Sequence, residues 1–76
     1  MFLKVNLFGI KTISYHKPSK ILTICFNSGL CCNYKYVPED IFNNFIEEFN
    51  VTNKKAHVLN QYKKILKDYP VELVDL

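Results

Sequence analysis

Tyr34-Lys35-Tyr36-Val37-Pro38 is the stretch on which the reading of this chain turns. It ends a predicted hairpin and opens a predicted helix. Tyr34 and Tyr36 are two residues apart, so on a strand they share one face. That face is either core or an aromatic binding platform. Upstream, Ile21 to Phe26 is rich in β-formers. Asn27-Ser28-Gly29 supplies turn chemistry, and Leu30 to Val37 reads as the return strand.

The register of this hairpin decides the faces. With a three-residue loop, Phe26 pairs with Leu30, Ile24 with Cys32 and Leu22 with Tyr34. Apolar residues then fall on one face, and Thr23, Cys25, Cys31, Asn33 and Lys35 on the other. With a two-residue loop Ile24 pairs with Asn33 and the faces mix, because a one-residue slip exchanges them. The three-residue loop, with Gly29 supplying positive φ at a bulge, gives the cleaner partition. It predicts Tyr34 and Tyr36 on the face of Leu22, Ile24 and Phe26, with Lys35 turned to solvent.

The rest of the chain follows from periodicity. Val5 and Leu7 alternate with Lys4 and Asn6, a first strand that Gly9 breaks. Lys11 to His16 is a second, with Ile13 and Tyr15 on one face, and Lys17-Pro18-Ser19 is a turn. Val37-Pro38-Glu39-Asp40 opens a helix, where proline suits the first turn and acids suit the dipole. Its stripe is Ile41, Phe42, Phe45, Ile46 and Phe49. Asn50 to Asn53 is a link, with Thr52 or Asn53 as the cap of a second helix. The second stripe is Val58, Leu59, Tyr62, Ile65, Leu66 and Tyr69, and Pro70 stops it. Val71 to Leu76 reads equally as a short strand or as a tail.

Length and composition set the bounds. The 76 residues make one small domain, 49% apolar and 14% aromatic, which favours a globular fold over disorder. A core of this size invites association into a homo-oligomer or with a partner. Cys25, Cys31 and Cys32 are odd in number with two adjacent, so they make no disulfide framework and read as reduced strand residues of a cytoplasmic protein. A vicinal Cys31–Cys32 bridge would be strained. The N-terminal ten residues are too short and too polar for a signal or a membrane span.

Charge comes in blocks. Residues 1–37 carry five lysines and no acid, 38–50 four acids and no base, 51–67 five lysines and no acid, and the last nine residues three acids. The net charge is +3 with no arginine, so any anion would be held by lysine point charges and backbone amides rather than by bidentate forks.

No set of residues spells out a reaction. His16 and His57 have no sequence-level link to the cysteines, no Cys-x-x-Cys offers a metal site, and two glycines cannot make a phosphate loop. The reading is therefore a protein that is not an enzyme, with no cofactor and no metal. The sharpest positive pattern is aromatics interleaved with lysines, the composition of a single-stranded nucleic-acid surface. Its candidate residues are Lys11, Lys17, Lys20, Lys35, Asn33, Tyr15, Tyr34 and Tyr36. Against it, the favoured register turns the tyrosine face toward the first helix. An anion would then be met by the opposite face and the strand-end lysines.

The order Ile13-Ser14-Tyr15-His16, Leu22-Thr23-Ile24-Cys25-Phe26, Gly29 and Tyr34-Lys35-Tyr36-Val37-Pro38, with Tyr62 on a following helix, resembles the KTSC domain. That family takes its name from a domain at the C-terminus of some lysyl-tRNA synthetases and also occurs as small stand-alone bacterial and phage proteins. The likeness covers about residues 10–62, and 63–76 looks like an extension. Family members more often carry Gly-Tyr-Asp where this chain has Ser14-Tyr15-His16, and an apolar residue where it has Cys31-Cys32. The resemblance implies RNA binding.

These readings converge on an α+β domain, an antiparallel sheet of three to four strands with two helices packed on one face. The expected function is a non-catalytic module that binds RNA or another nucleotide-like anion through its lysine-rich strands. The alternative is a protein-interaction module, such as a small phage-type inhibitor of a host protein.

Overall fold

A computed structural model describes residues 1–75. Among them are five strands, β1 (Phe2–Leu7), β2 (Ile10–His16), β3 (Ile21–Phe26), β4 (Leu30–Tyr34) and β5 (Val71–Asp75), and two helices, α1 (Glu39–Val51) and α2 (Lys55–Leu66). The strands form one antiparallel sheet in the order β1-β2-β3-β4-β5. The sheet is thus α+β as expected, but with five strands rather than three to four. The fifth is residues 71–75, which return after both helices to pair along the whole of β4. Leu76 lies outside the described residues.

The β3–β4 hairpin has the three-residue loop. Leu22 faces Tyr34, Thr23 faces Asn33, Ile24 faces Cys32 and Cys25 faces Cys31. Gly29 takes φ 97°, the left-handed conformation that a side chain resists. Ile10, Ile13, Tyr15, Leu22 and Ile24 from the sheet meet Phe42, Phe45 and Phe49 of α1 and Val58, Leu59 and Leu66 of α2. The helices therefore cover one face, and period-2 alternation sends Lys4, Thr12, Ser14, Thr23, Cys25, Cys31 and Asn33 to the other. Phe45 ties the two helices together edge-on with Tyr62 of α2, at 5.0 Å between ring centroids, and lies tilted against Phe49 of its own helix at 5.3 Å.

Four local expectations are corrected. β4 ends at Tyr34 rather than Val37. The pairing runs out because Pro70, which accepts from Lys35 N (2.8 Å), has no N–H to return, and Tyr36 turns left-handed at φ 63°. Helix α2 is capped by Lys54 rather than by Thr52 or Asn53. Thr52 is already engaged as the C-cap of α1, its N donating to Glu48 O (3.1 Å), while its Oγ1 accepts from Lys54 N (2.9 Å). Ile65, counted in the apolar stripe, is exposed.

The fourth correction concerns the cysteines, which are not all reduced. Cys25 and Cys31 are joined as a disulfide across β3 and β4, with Cys32 free. The two face each other in register on the side away from the helices, whereas Cys32 points to the opposite side. Adjacent residues on a strand diverge, so the bridge runs between strands rather than between Cys31 and Cys32.

Candidate nucleic-acid interface

The anchor of the opening stretch is Tyr15. Its ring is 4% exposed and stacks on Phe42 with centroids 5.4 Å apart. Its hydroxyl donates to Val37 O at 2.5 Å, and Val37 N donates to Lys20 O at 2.9 Å. Val37 is thereby held from both sides and fully buried, and Pro38 follows as the N-cap of α1. Burial raises the Tyr15 hydroxyl above the ordinary tyrosine pKa of 10.0, and the carboxylates of Glu39 and Asp40 add to the shift. Tyr15 is therefore a structural core residue and not a stacking residue.

The other two tyrosines part company. Tyr34 is half-buried on the helix side, where burial, then Cys32, raises its pKa. Tyr36, expected beside it, is 72% exposed. The left-handed turn at Tyr36 swings its ring outward while Val37 goes in, so the alternation of the strand no longer applies.

The lysines divide as well. Lys17, in the β2–β3 turn, sits 3.6 Å from Glu39 at the start of α1, an exposed pair that contributes little. Lys20 is exposed in the same turn at φ 55°. Lys35 lies 3.6 Å from Glu72, the residue that faces Asn33 across β4 and β5. Asn33 accepts from Thr23 Oγ1 at 2.6 Å and is tied into the uncovered sheet face. Of the candidates, Lys11 lines a concavity on that face.

This concavity, about 440 Å³, is lined by Phe2, Lys11, Thr12, Cys25, Phe26, Gly29 and Cys31. Phe2 is 62% exposed at the start of β1 and stands opposite Ser14. Lys4, exposed, faces Thr12. The uncovered face thus joins an aromatic ring, two lysines without an ion-pair partner among the described residues, and a row of hydroxyls and an amide. Phe2, Lys4 and Thr12 were not singled out from the sequence. The signal was there in part, since extending the Val5–Leu7 alternation backward places Phe2 on the face of Lys4.

Among the described residues, no three of His, Cys, Asp or Glu come together as metal ligands. No helix among them is long and apolar enough to cross a membrane.

No curated protein matches the chain. The model of the KTSC domain, however, matches residues 9–64, from the start of β2 through most of α2 and including the Tyr15–Val37 clamp. With nearly three quarters of its length so matched, the chain belongs to the KTSC domain family.

Proposed function

We propose that the protein is a non-catalytic module that binds single-stranded RNA on the uncovered face of its sheet. The observation that carries this reading is the concavity beside Phe2 and Lys11. A flat exposed ring offers a stacking surface to any base, and lysines nearby attract the phosphates that flank it. Thr12, Ser14, Thr23 and Asn33 lie on the same face, with hydroxyl and amide groups suited to ribose and base edges. Lys4 and Lys11 have no acidic partner among the described residues, and Lys35 has only the exposed Glu72. Tyr36 and Lys20 are exposed at the end of the sheet where β4 stops, opposite the β3–β4 loop. The reading keeps Lys11, Lys20, Lys35, Asn33 and Tyr36 as contacts and gives Tyr15 a supporting role in the core. The Cys25–Cys31 bridge removes the ground for a cytoplasmic setting, since that expectation rested on reduced cysteines.

The test is a titration of fluorescent oligouridylate at low salt. Phe2→Ala is expected to cost about 1–3 kcal/mol of binding, the worth of one stacked base. Lys11→Gln is expected to weaken binding without changing the fold, since its side chain is exposed. A flat titration with the unaltered protein, or full affinity in Phe2→Ala, would sink the reading.

A further inference from the structure

A second cleft lies on the helix side of the sheet, away from the face just described. It measures about 430 Å³ and is lined by Tyr34, Lys63, Lys64, Lys67, Tyr69 and Val71. Three features of the fold bring these residues together. Helix α2 ends at Leu66, and its last turn carries Lys63 and Lys64, with Lys67 as C-cap. A tight turn then follows, in which Tyr69 N donates to Leu66 O at 2.9 Å. Finally Pro70 O accepts from Lys35 N, and Val71 pairs with Tyr34. The aromatic rings of Tyr34 and Tyr69 are half-buried against the core and form an apolar floor.

From this arrangement we infer that the cleft is a binding site for a small phosphate monoester that carries an aromatic ring, of which a nucleoside monophosphate is a biological form. Its volume falls within the roughly 300–1,000 Å³ typical of ligand sites. The floor suits a flat ring. Among the described residues, none of the three lysines has an ion-pair partner, and no acid lines the cleft. Lys63 and Lys67 stand four apart on one helical face, where like charges repel. A doubly charged phosphate would relieve that repulsion, and lysine suits it as a point charge. Cations at a helix C-terminus also complement the dipole, but the dipole asks nothing of Tyr34, Tyr69 and Val71. Lys67, Tyr69 and Val71 lie beyond the residues matched by the family model, so the site depends on a segment outside that match.

The inference is independent of the RNA reading, because the two clefts share no residue. The experiment is an amide NMR titration with adenosine monophosphate, phenyl phosphate, adenosine and inorganic phosphate, each separately. Saturable shifts centred on Tyr34, Tyr69 and Val71 are expected for the first two, with adenosine and inorganic phosphate binding at least about tenfold more weakly. Lys63→Gln with Lys67→Gln should weaken adenosine monophosphate about tenfold, and Lys54→Gln, at the far end of α2, should leave it within twofold. All these lysines are exposed, and retained spectral dispersion verifies the fold. Inorganic phosphate binding as tightly as the ring-bearing esters, shifts centred on Phe2 and Lys11 instead, or equal weakening by Lys54→Gln would each overturn it.

Discussion

At the residue scale, the hydroxyl of Tyr15 does more than its position on an apolar face suggests. It closes one of the two hydrogen bonds that hold Val37, and so fixes where β4 gives way to α1. Tyr15→Phe keeps the ring and its stacking on Phe42 but leaves Val37 O without its buried partner. The expected cost is about 1–2 kcal/mol, read from urea unfolding. The same hydroxyl governs alkaline behaviour. Its native pKa is raised above 10.0, as are those of Tyr34 and Tyr62, in each case first by burial. The protonated form is thus favoured in the native state, and this stabilisation is fully present below pH 10.0. It is lost as pH rises above that value, where the unfolded chain releases the protons first. Unfolding followed from pH 8 to 11 should show a flat region and then a decline. Tyr15→Phe should make that decline shallower, and an unchanged slope would count against a perturbed Tyr15. Which tyrosine is core was only partly legible. The alternation with Ile13 placed Tyr15 inward, but no pattern announces that Tyr36 leaves the strand through positive φ.

At the element scale, the β3–β4 hairpin was readable because its loop chemistry and face segregation agreed on one register. That register also sets Cys25 opposite Cys31, a consequence that counting cysteines obscures. The bridge closes a loop of six-residue separation. By the loop-entropy relation it should contribute about 2 kcal/mol. Cys25→Ser is expected to lower stability by that amount against the oxidised protein, and to match the protein treated with reductant. A urea midpoint of the unaltered protein that ignores reductant would refute the contribution. Both cysteines line the concavity beside Phe2, so the bridge forms part of the floor of the proposed RNA site. Strand β5 was the least legible element. Five residues of mixed character carry no pairing information of their own, and their partner is supplied by a strand some forty positions earlier.

At the scale of the whole molecule, the charge blocks become surfaces. The strand lysines divide between the uncovered face and the turn at its end, while three of the α2 lysines gather around a separate cleft. Acids that looked segregated in the chain return as partners, Glu39 to Lys17 and Glu72 to Lys35. Binding to single-stranded RNA through Lys4, Lys11 and Lys35 would release counterions from about three phosphates. The logarithm of the affinity should therefore fall with the logarithm of salt at a slope of about −2. A slope near zero would mean that the lysines of this face do not meet phosphate.

The chain by itself determined the hairpin register, the two amphipathic helices, the α+β class and the family, because each of these is written in short-range periodicity and turn chemistry. Tertiary structure alone decided the fate of the Tyr34-Lys35-Tyr36-Val37-Pro38 stretch. The distant Tyr15, Lys20 and Pro70 bond its backbone, so that Tyr34 stays half-buried, Tyr36 turns out and Val37 is sealed in. Backbone hydrogen bonds to residues far along the chain leave no trace in local pattern, and they are what place its side chains.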